Sequence, residues 1–255
     1  MRLRGIGVAL LFVFLAAGMV QNVFAVSFTP PLSPLPPGSQ GKAVVLSSLD
    51  ALYPMGQYGA DITYYLIEAG FQVTTLANRQ ISIDFLLTQL NNYSVIIWRT
   101  NTYYWKHIEY WYVGEVANSA TELKYASDFA NGWINANAGI LGVSLGFFKY
   151  HFTAQMLSNA RLVMLIASDS LFLSSFMLNA GVSAVIFSLG PISLSFGLID
   201  DLTTELVAYL LMREDVSTAV YNVVSPYVQN SNPEDPLDSS YSPSFWFQGN
   251  GALTI

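Results

Sequence analysis

Cysteine is absent from all 255 residues. Disulfides, thiolate metal sites and a cysteine nucleophile are therefore excluded together. Charge is scarce too: Asp, Glu, Lys and Arg make up 11% of the chain, and the net charge is -7 with 10 basic against 17 acidic residues. That sign argues against nucleic-acid binding and against recognition of anionic membranes through phosphate contacts. There are only two histidines, His107 and His151, and they form no metal-ligand pattern. The acidic pairs Asp200-Asp201 and Glu214-Asp215 each stand before an apolar run, where they read as helix openings that satisfy the helix dipole. Gly139, Gly142 and Gly146 lack the residues of a phosphate-binding loop. No metal and no cofactor is expected.

What the chain has instead is apolar bulk, with 53% hydrophobic and 14% aromatic residues. Such a composition suits a large core, or a surface covered by a partner. Residues 1–25 carry Arg2 and Arg4, an apolar run over 5–20 and small or aliphatic residues near Ala25. They read as a secretory signal peptide, so a secreted or extracytoplasmic location is expected. If uncleaved, the segment would anchor the protein by residues 5–20 and supply its only membrane contact. Residues 26–41 include Pro30, Pro31, Pro34, Pro36 and Pro37 and form a Pro-rich spacer. The remaining residues, 42–255, make one α/β domain. Asn92-Tyr93-Ser94 is a lone glycosylation sequon.

Within the domain, apolar runs and helical stripes alternate. Strands are expected over 43–47, 71–76, 95–98, 162–167 and 182–187, with a last one in the aromatic ending after Phe245. Helices are expected over 57–69, from the cap Ser82 to Leu90, and over 147–157, 170–180, 200–212 and 215–224. Residues between the third strand and 147 read as a long insertion. The strands are continuously apolar rather than alternating, which favours a mainly parallel central sheet covered on both faces, a three-layer α/β/α sandwich.

In such a sheet, ligands sit beyond the carboxyl ends of the strands. Asn101 and Thr102 follow one strand, Ser168 and Asp169 another, and Ser188 and Gly190 a third, so these residues should border one crevice. Arg99 ends a buried strand and must be paired or solvated. It either reads an anionic group in the crevice or pairs with a carboxylate such as Asp169. Ser168 and Asp169 have a plainer reading as caps of the helix that follows.

The segment 162–170, continued by 176–186, resembles the caspase, gingipain and clostripain group of cysteine peptidases. In that group a strand ends in Ala-Cys or Gly-Cys, a helix follows, and an "F-x-x-x-G-A" turn leads into the next strand. The resemblance extends over most of 42–255, including Gly190-Pro191-Ile192-Ser193 as a "G-P-V-S" turn and the ending after Phe245. It implies a caspase-like fold. It also places Ser168 where the nucleophilic cysteine belongs, and Asn101-Thr102 where a His-Gly or His-Ser pair belongs. Serine depends on an adjacent base, and an asparagine amide has no basic nitrogen to take up its proton. The expectation is a pseudopeptidase that binds a peptide, protein or surface partner. Two alternatives stand beside it: an active hydrolase using Ser168 with His107 as substitute base, and a structural cell-envelope protein. The aromatic stretch over 103–112 reads as a packed flap or hairpin covering the sheet end, or as a binding surface.

Overall fold

A computed structural model describes residues 36, 38–168, 170–189, 196–230 and 244–255. Residues 1–25 and most of 26–41, where a signal peptide and a Pro-rich spacer were expected, therefore lie outside the described residues. Among the described residues no helix is long and apolar enough to cross a membrane.

The domain begins with strand β1 (Lys42–Ser47), helix α1 (Gly56–Glu68), β2 (Gln72–Ala77), α2 (Ile83–Thr88) and β3 (Val95–Arg99). The long insertion is a second sheet: β4 (Thr102–Trp105), β5 (Ile108–Val116), α3 (Ser119–Lys124), α4 (Ala126–Ala130), β6 (Ile134–Asn137) and β7 (Ile140–Ser144). Then follow α5 (Leu145–His151), β8 (Leu162–Ile166), α6 (Leu171–Asn179), β9 (Ala184–Leu189), α7 (Phe196–Leu211), α8 (Val216–Asn230) and β10 (Ser244–Gly249). The main sheet has the order β10–β9–β8–β3–β1–β2. All its pairings are parallel except β10 with β9. The second sheet, β4–β5–β7–β6, is antiparallel throughout.

Two cores account for the unbroken apolarity of the strands. Val44, Leu46, Ile96, Trp98, Val163 and Leu165 point to one face, where α2, α5, α6 and the second sheet cover them. Their neighbours Ala43, Val45, Val95, Ile97, Leu162 and Met164 point to the other, beneath α1, α7 and α8. Because successive strand residues face opposite ways, a strand buried on both faces has no position left for a polar residue. The fold is thus an α/β fold with a mainly parallel sheet between two layers. The stripe Leu202, Leu206 and Leu210 on α7 is buried, as its helical spacing requires.

Three differences from the sequence expectations have local causes. Helix α5 stops at His151 rather than continuing to 157, because Phe152 turns to extended backbone and packs its ring 5.2 Å from Phe148 and 6.4 Å from Phe176. Helix α7 starts a turn before Asp200. Asp200 is therefore not an opening residue, and its carboxylate turns inward to Arg99. The second sheet is the third difference. It docks where Gly114 of β5 meets the turn after β2: a Cβ there would come within 2.3 Å of the Asn78 carbonyl oxygen, and its φ of +106° suits only glycine.

Helix α8 is capped by Asp215, which accepts from the Ser217 hydroxyl at 2.6 Å and the Thr218 N–H at 2.8 Å. These bonds, the Ser217 one foremost, hold the carboxyl below its ordinary range. Capping is then fully effective above the carboxylate range of the unfolded chain and is lost as pH falls through that range toward the lower folded value. Thermal melts of the native protein and Asp215→Ala between pH 7 and pH 3 should differ most at pH 7 and converge in acid.

The buried ion pair gives a larger effect. Arg99 is 1% exposed and donates through Nε and Nη2 to Asp200 at 2.7 and 2.9 Å. Asp200→Ala leaves that guanidinium buried without its counter-charge and should cost about 3–5 kcal/mol in urea unfolding. Replacing both partners together, Arg99→Met with Asp200→Leu, should recover most of it.

Candidate functional site

The carboxyl ends of β1, β3, β8 and β9 lie side by side, and backbone bonds carry the ladder past the strands. Ser48 N–H donates to the Arg99 carbonyl at 3.1 Å and Thr100 N–H to Ile166 at 2.9 Å. The second sheet then grips the end of β3. Thr100 Oγ1 donates to the Tyr112 carbonyl at 2.7 Å, and Tyr112 N–H donates to the Asn101 carbonyl at 3.1 Å. Asn101 is thereby fixed between β8 and β5.

Ser168 and Asn101 meet. The Ser168 hydroxyl donates to Asn101 Oδ1 at 2.7 Å, and the Thr102 N–H donates to the same oxygen at 2.8 Å. That N–H also settles which end of the amide is the carbonyl. A hydroxyl has one proton, and Ser168 uses it on Asn101. The 2.8 Å contact between Thr102 Oγ1 and Ser168 Oγ is therefore a donation from Thr102. The cluster is closed and neutral. Its acceptor is an amide oxygen, which holds the serine proton in a hydrogen bond but has no capacity to remove it. Chemically the arrangement orients groups and does not ionise them. The helix-cap reading of Ser168 gives way here, since its hydroxyl serves the neighbouring loop. The cap position of α6 belongs to Ser170, without a side-chain cap bond.

Arg99 leaves the crevice reading altogether. Strand parity puts it on the α1–α7 side, where Nη1 adds bonds to the Tyr53 carbonyl at 2.8 Å and Ser47 Oγ at 3.3 Å. Its counter-ion among the described residues is Asp200; Asp169 and Gly190 lie outside the described residues. Burial pushes the Asp200 carboxyl up, and the guanidinium bonds oppose that shift. Beside the pair, the buried Tyr58 hydroxyl has no hydrogen-bond partner among the described residues, and its ring lies 5.7 Å from the guanidinium carbon. Burial raises its pKa first, and the Asp200 charge adds to that. Ser188 is a fastener: its hydroxyl donates to the Ala167 carbonyl at 2.5 Å and accepts from the Ala167 N–H at 3.1 Å. It holds the residue before Ser168.

Neither histidine reaches Ser168. His107 occupies the exposed turn between β4 and β5, beyond Trp105, which pairs with Ile108. Three strand steps separate Thr102 from Trp105, roughly 10 Å of extended chain, so the hairpin carries the imidazole away from the hydroxyl. His151 Nε2 bonds Asp128 Oδ1 at 2.8 Å, with its ring 4.6 Å from Phe147. Among the described residues no group of three or more His, Cys, Asp or Glu is placed to hold a metal ion.

The aromatic stretch is divided in its fate. Trp111 faces the core, while Tyr103, Tyr110 and Tyr112 gather on the opposite side, with ring centroids 5.3 and 4.7 Å apart about Tyr103. Tyr103 starts on β4, yet its hydroxyl donates to Asn135 on β6 at 3.1 Å. Three strand gaps are roughly 14 Å in a flat sheet, so this sheet curls around its tyrosines. Gly142 makes the room, since a Cβ there would fall 2.7 Å from the Tyr103 ring. Burial raises the pKa of all three phenols, and they stay neutral.

No family model matches the chain, and no curated protein matches it in sequence. Sequence reasoning missed Asp200 as the partner of Arg99. A signal was present: Asp200 begins the i, i+3, i+7, i+11 row Thr203, Val207 and Leu211, and all four are buried. The tyrosine side of the second sheet was missed because its pairing could not be read from the stretch alone.

Removing the fastener should loosen the site. Ser188→Ala removes the partner of the buried Ala167 N–H and leaves its carbonyl with only the longer 3.4 Å bond from the Ser170 hydroxyl, and should lower unfolding stability by about 1–3 kcal/mol in urea titration.

Proposed function

We propose that the protein is a peptidase-like molecule without peptidase chemistry, exported and acting by binding a peptide, protein or surface partner at the crevice around Asn101, Thr102 and Ser168. The observation that carries this reading is the 2.7 Å bond from the Ser168 hydroxyl to an amide oxygen in the position of a base. Two features support the resemblance behind it. The unit β8–α6–β9 follows the strand–helix–strand order of the resembling segment, and β3 pairs directly with β8, which brings Asn101 and Ser168 together as the reading requires. The closed neutral network supports inactivity, because nothing in it accepts a proton.

Restoring both residues tests the geometry. In Ser168→Cys alone the thiol should keep an ordinary pKa of about 8.5 and alkylate slowly with iodoacetamide at pH 6. In Asn101→His with Ser168→Cys, a neighbouring imidazole should stabilise the thiolate and raise that rate at least about tenfold. Equal rates in the two variants would mean that the positions are not a degenerate dyad. The unmodified protein should resist a serine-directed fluorophosphonate, and labelling at Ser168 would replace this reading with a hydrolase.

A further inference from the structure

Asn92-Tyr93-Ser94 is the only Asn-x-Ser or Asn-x-Thr triplet in the chain, and its middle residue is not proline. Such a triplet can accept sugar on its asparagine, and the bulk of a glycan then requires a surface position. The fold provides one. Leu90–Asn92 is a single 3-10 turn before β3, anchored by the buried Leu90 and turned so that Asn92 is exposed. The two adjacent asparagines are used differently. Asn91 faces the protein: its Oδ1 accepts from the Asn159 N–H at 3.3 Å, and its carbonyl accepts from Asn159 Nδ2 at 3.1 Å. Asn92 has one side-chain hydrogen bond among the described residues, from its Nδ2 to Oε1 of the exposed Gln89 at 3.0 Å. An amide nitrogen carries two hydrogens. A sugar that replaces one leaves the other for Gln89, so a glycan here displaces nothing that holds the fold.

Ser94 supplies the hydroxyl that makes the triplet an acceptor, and the folded protein occupies it. Its Oγ donates to the Lys42 carbonyl at 3.0 Å, and a Cβ on Gly41 would already crowd it at 3.0 Å. The Ser94 carbonyl accepts from the N–H groups of Arg161 and Leu162 at 2.8 and 3.1 Å. The third residue of the triplet is therefore clasped between the starts of β1 and β8. A transferase that has to read this hydroxyl meets it free only before β3 docks between those strands.

We propose that Asn92 is an N-glycosylation site, modified as the chain crosses the membrane and before β3 is enclosed. The proposal rests on the export reading above and is independent of any chemistry at Ser168. In the transfer, Asn92 Nδ2 bonds to the anomeric carbon of a lipid-linked oligosaccharide phosphate. The bond from that carbon to the phosphate oxygen breaks, the lipid phosphate leaves, and the amide proton passes to a base of the membrane transferase. Six strand steps, roughly 20 Å, separate Ser94 from Thr100. The glycan thus stands at the opposite end of β3 from the crevice and leaves it open. It gives a hydrophilic cover to a chain in which only 11% of residues are charged.

Trypsin cuts after Arg79 and Arg99 and releases residues 80–99, which contain no Lys or Arg before the last position. In protein purified from the producing cells, mass spectrometry should find this peptide carrying an oligosaccharide on Asn92. Asn92→Gln keeps an amide at the exposed turn and should lose the added mass completely, as should Ser94→Ala, whereas Ser94→Thr should retain it. A bare peptide on chains recovered outside the membrane overturns the proposal and leaves export standing; bare chains held inside the cell overturn both. The order of events has its own readout. Folded, bare full-length protein mixed with transferase-bearing membranes and lipid-linked donor should stay bare, while the same chain diluted in from urea should accept sugar. Equal acceptance would overturn modification before folding.

Discussion

A cation at the end of the central strand has to be neutralised where water does not reach, and the upper half of the domain is arranged around that requirement. Arg99 closes β3 on the face covered by α1 and α7, and Asp200 answers it with both oxygens. The Tyr53 carbonyl and Ser47 hydroxyl accept from it as well, so one side chain ties together the ends of β1 and β3, the loop after β1 and helix α7. A buried ion pair of this kind adds little stability over an apolar pair of the same size. What it adds is register, because only one docking of α7 brings Asp200 to the strand end.

With Arg99 drawn to one face, the chain is free to leave the sheet on the other side. Thr100 and Asn101 are taken up by β5, and Ser168 reaches across from β8 to meet them. Among the described residues, Asn101, Thr102 and Ser168 thus meet as groups that donate and accept hydrogen bonds without exchanging protons. The same short exit leads straight into the β4–β5 hairpin, so the crevice and the aromatic hairpin stand on one arm.

Much of the framework was legible because strand apolarity and helical stripes are local properties. The parallel sheet followed from unbroken runs such as those of β3 and β8, and the meeting of Asn101 and Ser168 from the rule that strand ends of a parallel sheet share one edge. The candidate roles of Arg99 and His107 were not legible in the same way. Both were read from their sequence neighbours, while the partner of Arg99, Asp200, lies far along the chain. His107 sits in the exposed turn of the β4–β5 hairpin, a fact of pairing register that the stretch 103–112 does not carry by itself.

By itself the sequence determined the chemical limits: no thiol, few charges, an amide and a hydroxyl at the two strand ends, and aromatic residues crowded just beyond one of them. Those are properties of residue identity and short-range periodicity. Tertiary structure alone decided which groups neutralise one another, how the second sheet curls around Tyr103 and which aromatics remain in water. Pairing of this sort depends on distances between residues a hundred positions apart, set by how whole layers pack rather than by any local preference.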